Sequence, residues 1–131
     1  MASYSGTDLF IELMNANGVR HIFYNPGFDV VPLLSAVARY KAAGKPAPTP
    51  VMCLHESTAL NAAHGHYMVS GLPQVVLVHA ELGTQQIGGA MQQAWWGRVP
   101  VLICAANMVT PGRLNWRREP YDQGAMLRNC V

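Results

Sequence analysis

Val51-Met52-Cys53-Leu54-His55-Glu56-Ser57-Thr58-Ala59-Leu60-Asn61-Ala62-Ala63 passes from a short unbroken apolar run into a stretch of small residues, and that handover decides the fold. An apolar run of this length reads as a strand buried on both faces, Val51 to Leu54, and the residues from Ser57 to about Val69 read as a helix. The same signal recurs on either side. Val19 to Tyr24, Val75 to Val78 and Val99 to Ala106 are strand-like. Thr7 or Ser5 can cap a first helix running to Asn17, with Leu9, Phe10, Leu13 and Met14 at helical spacing and Gly18 closing it. Asp29 can cap a second helix to about Ala43, and Ile87 to Trp96 reads as a helix despite Gly88-Gly89. Gly83-Thr84-Gln85-Gln86 reads as loop, and Gly44-Lys45-Pro46-Ala47-Pro48-Thr49-Pro50 as an exposed extended connection. Short apolar strands joined through helices give a parallel sheet covered on both faces, because right-handed crossovers lay helices against it. The expected class is α/β, a three-layer α/β/α sandwich with a mainly parallel sheet.

A length of 131 residues suits one domain, 1–131, in which residues 107–131 form an irregular or helical tail and Gln123 to Arg128 can begin a helix. Half the residues are hydrophobic and only 12% are charged, which is apolar for a small monomer and leads us to expect an oligomer. A net charge of +2 with no basic run beyond Arg117-Arg118 argues against nucleic acid as partner. The start Met1-Ala2-Ser3-Tyr4-Ser5-Gly6 lacks a signal-peptide pattern, and no apolar stretch is long enough for a membrane span. Cys53, Cys104 and Cys130 show no metal-ligand spacing, so a reducing, cytoplasmic location is expected.

In open parallel sheets ligands bind beyond the carboxyl ends of the strands. Here four connections bring Asn25-Pro26-Gly27, His55-Glu56, His79-Ala80-Glu81 and Asn107 to one edge. Two readings of Glu56 stand side by side. A half-desolvated carboxylate can share a proton with a heterocyclic nitrogen, whereas a first-turn acid can simply complement the helix dipole, worth about 0.3–1 kcal/mol. For His79 the pair is a proton shuttle or a strand-end residue that satisfies the backbone.

His55-Glu56-Ser57, followed by Ala63-His64-Gly65 and Tyr67-Met68-Val69-Ser70-Gly71, resembles the pyrimidine-binding (PYR) domain of thiamine-diphosphate (ThDP) enzymes. The group is that of acetolactate synthase, benzoylformate decarboxylase and the 2-oxo-acid decarboxylases. The likeness takes in Gly18-Val19-Arg20-His21-Ile22-Phe23, Asn25-Pro26-Gly27, Pro32-Leu33, Gly83-Thr84 and Val99-Pro100-Val101. It implies that Glu56 hydrogen-bonds N1′ of the cofactor's aminopyrimidine and promotes its imino tautomer, which prepares the thiazolium carbon for attack on a 2-oxo acid. His79 falls where the benzoylformate-decarboxylase branch carries an active-site histidine. The resemblance places Pro26, Gly27 and Asn107 near the cofactor, and Asn25, Phe28, Glu81 and Gln86 in a pocket for a small-molecule substrate.

Departures from the family are equally legible. Phe28 stands where relatives have a small polar residue, and Glu81 adds a negative charge that repels a substrate carboxylate. No Gly-Asp-Gly occurs, so the resemblance implies that Mg²⁺ and the diphosphate are held by a separate pyrophosphate (PP) domain rather than by this chain. Adjacent Trp95 and Trp96 cannot both face one core from a helix, and at least one is expected at an interface, with the Gly88–Trp96 helix meeting a PP-domain subunit or a second copy in a homodimer. Two further readings stay open. One is a stand-alone small enzyme that binds no cofactor and uses Glu56 and His79 as acid and base on an apolar molecule; the other is a non-catalytic interface subunit.

Overall fold

The computed structural model describes residues 4–107 and 122–131. Helix α1 (Gly6–Ala16) begins at a reciprocal cap: the Asp8 N–H donates to Ser5 Oγ at 3.4 Å, and the Ser5 N–H donates to Asp8 Oδ2 at 2.8 Å. Gly18, at φ +72°, turns the chain in the left-handed conformation that a side chain resists. Strand β1 (His21–Tyr24) follows, then a 3₁₀ turn (Phe28–Val30), helix α2 (Val31–Ala42) and strand β2 (Thr49–Met52). Helix α3 (Glu56–Ser70) leads through Gly71 to strand β3 (Gln74–Val78). Helices α4 (Ala80–Gln86) and α5 (Gly88–Trp96) then reach strand β4 (Val101–Ala105), and α6 (Gln123–Leu127) is the last described element.

All four strands are parallel in the order β2-β1-β3-β4. Phe23 lies beside Val51 and Val76, and Val76 beside Ile103. Alternate residues therefore face opposite layers. Ile22, Val75 and Leu77 pack with Ile11 and Met14 of α1 and Leu33, Ala36 and Val37 of α2. Phe23, Val76 and Val78 pack on the other face against Ala59, Leu60 and Ala63 of α3 and Ala90 and Met91 of α5. Covering both faces is what makes runs such as Val75 to Val78 apolar at consecutive positions rather than at every second one. The three-layer α/β/α class expected from the sequence is the one observed.

The two edges of the sheet differ. Thr49 and Cys53 donate their N–H groups inward, to the carbonyls of Arg20 and Tyr24 at 2.8 Å each, so the alternate positions 48 and 50 face outward. Both are proline and present no donor there. Strand β4 carries no proline and no charge over Val101–Ala105, and Leu102 is half exposed.

Three expectations need correction. Gly83-Thr84-Gln85-Gln86 is not a loop but the end of α4; Thr84 Oγ1 donates to the Ala80 carbonyl at 2.7 Å and Gly83 is tucked against Val78. The proline stretch is not wholly an exposed connection, since Pro48 is buried and Thr49-Pro50 pair with β1, an arrangement an edge strand permits. Asp29 does not cap α2, whose first residue follows Val30 directly; its side chain points elsewhere, as described next. In the tail, residues 123–127 are helical as expected, and the Gln123 amide donates to the Ala106 carbonyl. Arg117-Arg118 and residue 121 lie outside the described residues.

Candidate functional site

Strands β1 and β3 are neighbours whose connections leave in opposite directions, β1 toward β2 and β3 toward β4. Such a switch point opens a crevice at the carboxyl ends of the strands. Its floor is tied together by Asn25, whose N–H donates to the Leu77 carbonyl at 3.3 Å and whose Nδ2 donates to the Cys53 carbonyl at 3.1 Å. Asn25 thus holds the ends of β1, β2 and β3 in one place.

Glu56 is the first residue of α3 and is 9% exposed. His55 before it is the cap: its Nδ1 accepts from the Ser57 N–H at 3.1 Å, so this exposed histidine has a structural task. Ser57 Oγ donates to the Gln86 carbonyl and fastens the start of α3 to the end of α4. The Glu56 carboxylate accepts no hydrogen bond from any described residue. Beside it runs the backbone of Gly83. A Cβ on Gly83 would sit 3.3 Å from Glu56 Oε1 and 3.0 Å from Val78 Cβ, so the glycine is what lets α4 pass this close.

Gly83 also links Glu56 to the second proposed group, because its N–H donates to the His79 carbonyl at 2.6 Å. His79 precedes α4 but makes no side-chain cap bond to it. Its Nδ1 lies 2.9 Å from Asp29 Oδ1, and Asp29 Oδ2 accepts from the Ala80 N–H at 3.2 Å. The backbone of Gly27 lies against both side chains: a Cβ there would stand 2.6 Å from Asp29 Oδ1 and 2.9 Å from His79 Nδ1. Asp29 also borders a cavity of about 220 Å³, lined in part by Phe10, Leu33, Leu77 and Cys104.

The other sequence candidates take varied positions. Glu81 is buried in the first turn of α4, while Pro26, Gln86 and Asn107 are exposed and Phe28 is 90% exposed on its turn. The missing side chains of Gly27 and Gly83 therefore leave the room that His79 and Glu56 occupy. Two contributors were not singled out in the sequence: Asp29, whose partner lies fifty residues away with no local signal, and Gly83, whose pairing with Thr84 looked like turn chemistry.

In α5 both tryptophans are outward, Trp95 at 54% and Trp96 at 67% exposure. Trp95 lines an apolar groove of about 640 Å³ that runs beside β4 with Met91, Val101, Ile103 and Leu127. Among the described residues no helix is long and apolar enough to cross a membrane.

A family model described as "Thiamine pyrophosphate enzyme, N-terminal TPP binding domain" matches residues 4–126. Benzoylformate decarboxylase of Pseudomonas aeruginosa is 31% identical over 101 residues, covering 75% of this chain and 17% of that protein. The mitochondrial acetolactate synthase catalytic subunit of Aspergillus candidus is 31% identical over 127 residues, covering 97% of this chain and 18% of its own length. Among solved structures, the thiamine diphosphate-dependent 4-hydroxybenzoylformate decarboxylase of Rhodococcus jostii RHA1 superposes with a TM-score of 0.83 at 26% identity. That match covers 98% of this chain and 23% of the other. The chain thus spans about a fifth of the length of these relatives.

Proposed function

The chain belongs to the thiamine pyrophosphate enzymes, as their N-terminal TPP-binding domain, and from that premise we propose that it supplies the pyrimidine-side half of a 2-oxo-acid decarboxylase or carboligase site, with Glu56 as the cofactor-activating acid. One observation carries this reading: a glutamate only 9% exposed at the carboxyl edge of a parallel sheet, without a hydrogen bond from any described residue, beside a glycine backbone that leaves it room. An aminopyrimidine nitrogen supplies the partner that such a group lacks. The residues present therefore fit that end of thiamine diphosphate: Glu56 would hold the ring nitrogen, and Gly27, Pro26 and Asn107 would border the ring. When bound, the cofactor supplies an electron sink for cleavage next to a carbonyl.

The chain's own part is to hold and move protons and to keep water out. Glu56 stands where it can share a proton with the ring, and its place in the first turn of α3 gives its charged form a favourable helix dipole. His79 at the mouth of β3 is the group suited to proton exchange with a substrate. The sequence has no Gly-Asp-Gly, so Mg²⁺ and the diphosphate are assigned to a PP domain. The face of α5 bearing Trp95 and Trp96 is the surface we assign to that partner or to a second copy, with aromatic anchors of the kind that dominate interfaces.

Calorimetric titration of thiamine diphosphate with Mg²⁺ is expected to give weak or no binding to this chain alone and saturable binding once a PP-domain protein is added. In that complex Glu56→Gln should slow hydrogen–deuterium exchange at the thiazolium carbon by roughly 10²–10⁴-fold, the range for losing a positioned acid–base group. Unchanged exchange in the variant would remove Glu56 from the role.

A further inference from the structure

Asp29 belongs to none of the roles above, yet both of its carboxylate oxygens are committed at the crevice. Oδ1 meets His79 Nδ1 at 2.9 Å and Oδ2 takes the Ala80 N–H at 3.2 Å. We propose that Asp29 is a positioning residue that fixes His79 in the tautomer carrying its proton on Nδ1, so that Nε2 is the ring nitrogen bearing the lone pair. The proposal rests on the reading of His79 given above, and goes beyond it by naming the group that sets the imidazole.

Four features of the structure support it. A carboxylate can only accept, so at 2.9 Å the shared proton belongs to Nδ1. The pair is partly withdrawn from water, with side-chain exposures of 28% for His79 and 17% for Asp29, which strengthens a charge-assisted bond. Ala80 has φ +25°, a conformation unfavourable for any residue with a side chain, and its peptide is held from both ends, by Asp29 at the N–H and by Thr84 Oγ1 at the carbonyl. Finally, Gly27 is bare where a single methyl would strike Asp29 and His79 together. A histidine that merely ended β3 would need neither the distant carboxylate nor the glycine. The capping of α4, which His79 itself does not perform, is done by Asp29.

The carboxylate has a substitute of the same shape that reverses its effect. In Asp29→Asn the Ala80 N–H still needs an acceptor, so the amide oxygen turns to it and the amide N–H₂ is left facing His79 Nδ1. That nitrogen must then accept, and the imidazole proton moves to Nε2, the logic by which an amide in place of a triad aspartate gives the wrong tautomer.

Long-range proton–nitrogen correlation spectra of the isotope-labelled chain read the tautomer directly, at a pH about two units above the ordinary imidazole value near ~6.5. The His79 signals are identified by their loss in His79→Gln. The expected spectrum has Nδ1 at the protonated shift and Nε2 at the unprotonated one, and Asp29→Asn exchanges the two. A native spectrum with the proton on Nε2, or averaged as in free imidazole, overturns the proposal, as does an Asp29→Asn spectrum that keeps Nδ1–H. Should Asp29→Asn not fold, the native spectrum decides alone. No cofactor is needed for this measurement, so failure of the complex to bind thiamine diphosphate would count against the proposed function and not against the role of Asp29.

Discussion

Replacing Gly27 by alanine puts one methyl group into the tightest contact of the crevice. The new carbon would lie 2.6 Å from Asp29 Oδ1, 2.9 Å from His79 Nδ1 and 3.0 Å from His79 Cβ. Relaxed carbon contacts begin near about 3.5 Å, so the carboxylate must yield by roughly 0.9 Å. It cannot do so freely, because the same carboxylate holds the Ala80 N–H. Overpacking of this kind costs about 1–3 kcal/mol, and a hydrogen bond to a charged group contributes about 1.5–3 kcal/mol, of which the lower end applies to a pair this near the surface. Against this stands a gain of about 0.4–1 kcal/mol from a less flexible unfolded chain, since Gly27 is extended at φ −156° and alanine adopts that conformation without strain. The expected net loss is about 2 kcal/mol, measured as a lower urea midpoint at unchanged slope, or a melting temperature lower by on the order of 5–10 °C. Repeating the substitution in an Asp29→Ala background removes the shortest contact, and the loss should fall below about 1 kcal/mol. Unchanged or raised stability in Gly27→Ala, or an equal loss in both backgrounds, would refute the packing argument.

Two more outcomes follow from groups remote from the crevice. Ser5→Ala removes the hydroxyl of the cap on α1 and should lower stability by about 1 kcal/mol in urea unfolding, whereas Ser5→Thr, which keeps the hydroxyl, should recover most of it; equal losses in both would show that the cap is not the cause. His21 stacks on Phe23 and lies against the tilted ring of His66 with its Nδ1 buried and unpartnered, and burial first, then the neighbouring His66, pushes its pKa below the ordinary 6.5. Between the lowered folded value and 6.5 the unfolded chain binds the proton that the folded ring refuses, so stability falls as pH drops below about 6.5. His21→Phe should flatten that acid limb in pH-dependent unfolding, and parallel limbs in both proteins would show that His21 does not titrate as described.

The layers were legible because burial on two faces leaves its mark on every strand position: Val75 to Val78 is unbroken, and the helices begin and end on readable residues such as Ser5, Gly18 and Gly71. Boundaries slipped where a long-range bond outweighed a local signal. Thr49 and Pro50 pair with His21 and Ile22, and α4 forms around Gly83 because the space between Val78 and Glu56 admits nothing larger. Glu56 could be placed from its strand-to-helix handover alone. The setting of His79 could not, because Asp29 sits in a turn fifty residues earlier and only the sheet order β2-β1-β3 brings the two together. An aspartate next to a proline-glycine turn looks like a helix cap from within its own neighbourhood, and here it does cap a helix, though α4 rather than α2.

The unequal edges of the sheet give this fold a direction of growth. Pro50 presents no outward donor on the β2 side, whereas Val101–Ala105 carries no proline and no charge and, among the described strands, pairs only with β3. Among the described strands, further pairing is discouraged at β2 and not at β4. Of the strands described, β4 is therefore the edge at which unwanted pairing would start, and a lysine introduced at the half-exposed Leu102 would guard it.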